Sequence, residues 1–301
     1  MTADDRSVLH TPRDWIRWGA SAFQRAGLHF GHGTDNALDE AFHLVRHALH
    51  LPAEVPAIYL EARLTGSECA AVAALLDRRM QTRKPAAYLL GEIDWCGLSF
   101  HVDERVLIPR SPLAELIERG FSPWLPALPN RVLDLCTGSG CIGIAIAHHL
   151  GVEVDLGEID PGAVTVCQRN IERHQLGDRV RVVQGDLFAQ LPGRYDLIVC
   201  NPPYVPLAEW QALPAEFQHE PRRALEAGED GMDLVERLLV EAPAHLEVDG
   251  SLIVEIGGSR AEFEARYADL PVSWPEFERG GDGVFVISRR DLAGWLKRRG
   301  G

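Results

Sequence analysis

Apolar positions recur at helical spacing from the start of the chain. Trp15, Ile16, Trp18, Ala22 and Phe23 mark one stripe, and Ala37, Leu38, Ala41, Phe42, Val45 and Leu49 a second. Gly27, Gly31 and Gly33 interrupt the pattern between them. Residues 13–50 therefore predict two helices, the second capped by Thr34 or Asp35. Thr65 with Glu68 three positions on forms a capping box. It opens a third helix, through Ala74 and Leu75 to about Thr82. No strand pattern precedes residue 90. The period then changes. Leu98, Phe100 and Val102 alternate with Ser99, His101 and Asp103, which predicts a hairpin over 95–108, ended by Pro109.

From residue 131 strands and helices alternate. Strands are predicted at 132–136, 152–157, 180–183, 195–200, 251–256 and 284–287. Helices are predicted at 141–150, 163–174 and 234–246, with a short one of basic end at 291–299. That order predicts an α/β fold, doubly wound, with a mainly parallel sheet and helices on both faces. Ligands of such sheets sit at the carboxyl ends of strands, near the point where strand order reverses. The organisation that follows is a helical domain over 1–90, a hairpin linker over 91–112 and a sheet domain over 113–301.

Charge sharpens this division. The chain carries 30 basic and 44 acidic side chains, net −14. Residues 1–90 hold ten of each, so the whole excess lies beyond them. Such a balance argues against a strongly basic nucleic-acid binder. No apolar run reaches the roughly 18 residues that span a bilayer, and the first residues lack the pattern of a signal peptide. Cys69, Cys96, Cys136, Cys141, Cys167 and Cys200 include no Cys-x-x-Cys pair. They read as reduced thiols of a cytoplasmic protein.

Two segments carry chemistry. The strand at 132–136 runs into Cys136-Thr137-Gly138-Ser139-Gly140-Cys141-Ile142-Gly143. Its glycines let the backbone turn sharply and approach a ligand at a helix N-terminus. Asp134 just before the loop would repel a pyrophosphate but suits a ligand with an ammonium beside a sulfonium. The pattern Asp-x-x-x-Gly-x-Gly is that of an S-adenosylmethionine loop. The next strand ends at Glu158, placed to accept both ribose hydroxyls. Asp160-Pro161 reads as a helix start, Asp at the N-cap and Pro at N1. After the third strand, Asp186 is a candidate for the adenine amine and Leu187 for the ring face.

The fourth strand ends in Asn201-Pro202-Pro203-Tyr204. The prolines fix the backbone and remove two N–H donors. The Asn201 side-chain oxygen and the Pro202 carbonyl can each accept a hydrogen from one NH2 group. The lone pair of a planar amide or aromatic amine is conjugated and poorly nucleophilic. Holding both hydrogens favours a pyramidal nitrogen, and Tyr204 can stack on the planar group. No base is needed before attack, because the proton can leave after transfer. Positioning of this kind supplies up to roughly 7–11 kcal/mol in well-oriented cases.

With Asp134-x-x-x-Gly138-x-Gly140 and Asn201-Pro202-Pro203-Tyr204, the chain resembles the class I S-adenosylmethionine methyltransferases that act on planar nitrogen. With its helical domain and hairpin linker it resembles, over about residues 12–290, the protein-glutamine methyltransferases. Leu107-Ile108-Pro109-Arg110-Ser111-Pro112-Leu113-Ala114-Glu115, Gly31-His32-Gly33-Thr34-Asp35-Asn36 and Phe217-Gln218-His219-Glu220-Pro221 resemble the branch that modifies the third large-subunit ribosomal protein. The release-factor branch usually has Arg-Pro-Asp/Glu where this chain has Arg110-Ser111-Pro112. The resemblance implies a seven-stranded Rossmann-like sheet, S-adenosylmethionine as cofactor, a substrate-recognition role for residues 1–90, and a place for Phe100 and Arg110 near the pocket. It implies as partner that ribosomal protein, free or in an assembly intermediate, with no membrane and no stable sequence-specific nucleic acid.

Other readings stay open at this point. They are the release-factor branch, a DNA or RNA adenine methyltransferase, a nicotinamide oxidoreductase from the Gly138/Gly140/Gly143 match, and an assembly factor with a vestigial site. The adenine class must extract a base and grip phosphates, yet no target-recognition domain follows and the catalytic half is acidic. Asp134 counts against the oxidoreductase. His43, His47 and His50 are predicted on one helix face, where successive turns do not converge on one tetrahedral metal ion. Cys136 and Cys141 read as small thiols, Trp15 and Trp18 as packing, His148-His149 as a helix end suited to the dipole, and Arg222-Arg223 as a solvated pair.

Overall fold

The computed structural model describes residues 6–52, 54–191 and 193–299. The chain divides into two compact units. Residues up to Ile93 together with Pro214–His219 form the first, and Asp94–Leu213 with Glu220 onward the second.

The first unit is helical: α1 Pro12–Arg25, α2 Ala37–Ala48, α3 Ala57–Leu60, α4 Gly66–Thr82 and α5 Ala86–Leu90. Thr11 and Asp14 form a capping box on α1, and Thr65 with Glu68 the expected one on α4. The cap of α2 is Asn36, not Thr34 or Asp35. Its side chain accepts from the Leu38 and Asp39 amides, while the Thr34 hydroxyl is turned to Glu40. His50 lies beyond α2 at φ +53°, so only His43 and His47 belong to the helix. Trp15 and Trp18 are core residues, their rings edge to face at 5.8 Å. The short helices α3 and α5 carry no periodic signal long enough to predict.

This unit also buries charge. Arg79 has no exposed surface. Its Nε donates to Glu40 at 2.7 Å and its Nη2 to the His29 carbonyl at 3.1 Å. Glu216 is equally buried, and its carboxylate meets Arg83 at 2.7 Å and accepts from the His29 amide at 3.0 Å. Next to it, the Phe217 ring lies 4.3 Å from that of His32. These anchors group residues 214–219 with the helices, although the sequence places them inside the sheet domain.

The hairpin is β1 Glu92–Trp95 and β2 Leu98–His101. It is shorter and starts earlier than the 95–108 expected. Cys96 at φ +51° and Gly97 at φ +75° make the turn between the strands, and residues 104–109 are irregular. Positive φ at both central residues matches the right-handed twist of the paired strands.

The second unit continues with α6 Leu113–Glu118, β3 Arg131–Leu135, α7 Cys141–Leu150, β4 Glu153–Glu158, α8 Pro161–Arg173, β5 Val180–Gln184 and β6 Tyr195–Cys200. It then forms α9 Leu207–Ala212, α10 Asp233–His245, β7 Leu246–Glu255, α11 Arg260–Arg266, β8 Val284–Ser288 and α12 Arg289–Arg299. The sheet order is β5-β4-β3-β6-β7-β8, with β8 alone antiparallel. Among the described residues the sheet has six strands, not seven. Where a seventh would lie, Ser273 makes a single bridge to Val286. Pro271 and Pro275 flank that segment and limit its pairing.

Strand order reverses between β3 and β6, so a crevice opens outside their carboxyl ends. Register lines those ends up. Leu135 pairs with Cys200, and Cys200 with Val254. Cys136, Asn201 and Glu255 therefore follow the last paired row side by side. No helix among the described residues is long and apolar enough to cross a membrane.

Candidate active site

The glycine loop is set by one carboxylate. Asp134, with no exposed surface, accepts through Oδ2 from the Thr137 hydroxyl at 2.5 Å and the Gly143 amide at 3.0 Å. Its Oδ1 is buried with no hydrogen-bond partner. Burial pushes its pKa up to about 7 against the pull of those two donors. Gly140 caps α7 at φ +82°, where a Cβ would lie 2.7 Å from the Cys167 sulfur. Glycine alone fits there. With no side chain on the cap, the first amides of α7 remain for other acceptors.

Glu158 closes the other side of the loop. Its Oε2 accepts from the Gly138 amide and its Oε1 from the Asp160 amide, both at 2.9 Å. Asp160 is the N-cap of α8, as its sequence position predicts. A cavity of about 260 Å³ opens here. Of the residues expected to bind or react, Cys136, Gly138, Glu158, Asn201 and Pro203 line it. Arg105, Leu107, Ile159 and Arg223 line it as well, none of them expected there from the sequence. Arg223 is exposed, as expected of a solvated pair, and its guanidinium also donates to Asp160 at 2.8 Å.

The tetrapeptide is braced from behind. The Tyr204 carbonyl accepts from the Ser259 hydroxyl at 2.8 Å, and its ring packs against Gly257, where a Cβ would come within 2.6 Å. Val205 exchanges backbone hydrogen bonds with Leu225 and Ala227, which fixes the exit of the loop. Burial raises the Tyr204 pKa, so its hydroxyl stays protonated. Asn201 follows β6 beside Glu255, a carboxyl whose pKa burial pushes up to about 7.

The other expected residues stand outside the cavity wall. Phe100 has no exposed surface and packs between the rings of Trp95 and His174. Arg110 is gripped by Glu220 through both nitrogens, at 2.7 and 2.9 Å. Asp186 is exposed and doubly bonded to Arg237, so it faces solvent rather than a ring pocket. Leu187 is buried in the core beside Phe188 and Leu191. Thr137, Ser139, Gly140 and Pro202 support the loops without lining the cavity. Among the described residues no cluster of His, Cys, Asp and Glu could hold a metal ion.

An acceptor without a donor on Asp134, a carboxylate at the rim on Glu158 and a short loop with accessible backbone suit a ligand that carries an ammonium and a ribose. Known proteins are similar over the same span. Residues 121–229 match the Methyltransferase small domain, and residues 14–91 the PrmC N-terminal domain. A ribosomal protein uL3 glutamine methyltransferase of Bordetella pertussis is 46% identical over 296 residues, 97% of this chain and 99% of the relative. Proteins of the same name from Xanthomonas campestris and Xylella fastidiosa are 49% and 48% identical, each over 97% of this chain and over 96% and 94% of their own lengths.

Proposed function

The chain belongs to the ribosomal protein uL3 glutamine methyltransferases, and from that membership we propose that it moves a methyl group from S-adenosylmethionine to the side-chain amide nitrogen of a glutamine in uL3. The observation that carries the chemistry is Asn201-Pro202-Pro203-Tyr204 at the end of β6, with Asn201 on the cavity wall beside Glu158. The cofactor supplies an electrophilic methyl on sulfur. Asp134 and the Thr137–Gly140 loop hold its amino-acid end, and Glu158 its ribose.

The residues of this chain prepare the nucleophile. Asn201 Oδ1 and the Pro202 carbonyl accept one hydrogen each from the glutamine NH2, and Tyr204 stacks on the amide plane. The nitrogen lone pair forms the new N–C bond as the S–C pair returns to sulfur. The extra proton on nitrogen then passes to solvent. The products are N-methylglutamine and S-adenosylhomocysteine. The acidic sheet unit favours encounter with a basic ribosomal protein, free or in an assembly intermediate, so the association rate falls as salt rises.

The test is label transfer from S-adenosylmethionine to unmethylated uL3, a release factor and duplex DNA side by side. Label on a uL3 glutamine is the expected result. Asn201→Ala is expected to slow it by about 10²–10³-fold, as for loss of one aligned polar group. Label on the release factor or on DNA instead overturns the substrate, and label on none, with uL3 offered both free and in assembly intermediates, overturns the activity.

A further inference from the structure

We propose that Glu255 is a positioning residue for methyl transfer: it holds the amide of Asn201 by its nitrogen, which turns Oδ1 toward the substrate NH2. The proposal rests on the role given to Asn201 above and deepens it. An asparagine amide has one face that accepts and one that donates, of nearly the same shape. Only the accepting face serves here. An N–H turned toward the substrate nitrogen would meet its hydrogens and push the amide away. Something must choose the face, and the backbone does not.

Glu255 makes the choice. It ends β7 in the row that brings it beside Asn201, is 6% exposed, and has its pKa lowered by the Asn201 side chain, as a donor lowers it. An ionised carboxylate only accepts, so a bond between these neighbours comes from Nδ2 and leaves Oδ1 on the other side. Ser111 commits the carboxylate further. Its hydroxyl accepts from the Leu113 amide at 3.1 Å and donates its one hydrogen to Glu255 Oε2 at 2.5 Å. Ser111 is itself fixed, its carbonyl accepting from Trp95 Nε1 at 3.2 Å.

The choice depends on charge. Burial pushes Glu255 up to about 7, while Ser111, Arg110 and Asn201 pull it down. Tyr204 and Cys141 also lie within its field, and Arg110 is itself bonded to Glu220. A protonated Glu255 becomes a donor. It then takes Oδ1 for itself and turns Nδ2 toward the substrate.

The experiment is the pH profile of kcat on uL3, with cofactor saturating so that Asp134 does not enter. Cofactor affinity by calorimetry and thermal unfolding are measured alongside. The wild type should lose kcat on acidification through about pH 7. Glu255→Gln should lower kcat at pH 8 by about 10- to 100-fold, the usual effect of removing a group that orients a reacting one. It should also abolish the acid limb and leave cofactor affinity and the KM for uL3 unchanged. Ser111→Ala removes one donor to the ionised form, so it should move the limb to higher pH. A Glu255→Gln enzyme with wild-type kcat and an intact acid limb overturns the proposal. So does a loss of kcat matched by equal losses of cofactor affinity and stability, which marks a structural role. A wild-type enzyme that fails to label uL3 overturns the functional reading instead, a result visible before any variant is made.

Discussion

The two units bury carboxylates in opposite ways. In the helical unit Glu40 and Glu216 share a neighbourhood with arginines. Arg79 lies 2.7 Å from Glu40, and Arg83 2.7 Å from Glu216. Burial raises Glu40, and the Arg79 guanidinium works against that rise. In the sheet unit Asp134 and Glu255 are as deeply buried, yet their bonds come from hydroxyls and amides, and both are pushed up to about 7. The first arrangement neutralises charge with charge, even though Arg79 Nη1 and Glu216 Oε2 have no hydrogen-bond partner among the described residues. The second leaves two carboxyls near their titration points with no cation among the described residues bonded to them. Buried groups with perturbed pKa values in a cleft are where chemistry is expected; a paired buried ion is where only packing need be explained.

The largest test of this contrast is stability against pH. Asp134 and Glu255 have folded pKa values above their unfolded ones, near 4. The folded state thus binds more protons between about pH 4 and 7, and stability is lost as pH rises through that window. Each group should cost about 1.4 kcal/mol per pH unit there. Denaturant unfolding at pH 5 and 7.5 should show the loss, and the double variant Asp134→Asn/Glu255→Gln should remove most of it. Equal slopes in wild type and variant would mean that both carboxyls titrate normally and that the contrast is false.

Next in size is the arginine of the helical unit. Arg79→Met strands Glu40 in the core and leaves Glu216 to Arg83 alone. Breaking a buried pair in this way costs about 3–5 kcal/mol. The triple variant Arg79→Met/Glu40→Leu/Glu216→Leu should recover most of that in the same unfolding measurement. No recovery would show that the cluster does more than balance charge.

The same contrast explains what the sequence could reveal. Asp134, Glu158 and the tetrapeptide were legible because each stands at the end of an apolar strand, a position with one structural meaning. Glu255 follows Leu252-Ile253-Val254 in the same way, and the rule that selects Glu158 selects it too. Its partner Ser111 comes from a linker with no period, so the pair is not legible. Glu216 and Glu220 lie in an irregular loop, and their arginines are distant in the chain. Local pattern cannot join them. Helix α2 shows the limit at small scale: Thr34 or Asp35 is the expected cap, yet Asn36 takes the place, its side chain accepting from the Leu38 and Asp39 amides while Thr34 bonds Glu40. The seventh strand failed for a related reason. Family resemblance supplied it, but Pro271 and Pro275 leave room for one bridge.

The smallest effects separate the units most cleanly. Thr65→Ala removes the cap of α4 and should cost about 1 kcal/mol. Gly138→Ala should cost about the same, because Gly138 sits at φ +56° and a Cβ there meets nothing within 4 Å. By unfolding the two variants should be nearly indistinguishable. Calorimetry with S-adenosylmethionine should tell them apart. The space beside Gly138 is the cavity itself, and its amide already holds Glu158 in place. A methyl group there occupies the cradle, so affinity should fall at least tenfold, more than about 1.4 kcal/mol. Thr65 belongs to the unit whose buried carboxylates are paired with arginines, so affinity should not change. If Gly138→Ala binds as the wild type does, the loop is a tight turn and the cofactor lies elsewhere. If Thr65→Ala weakens binding as much, the capped helices are part of the site, and the division between a unit of paired charges and a unit of titrating carboxyls does not hold.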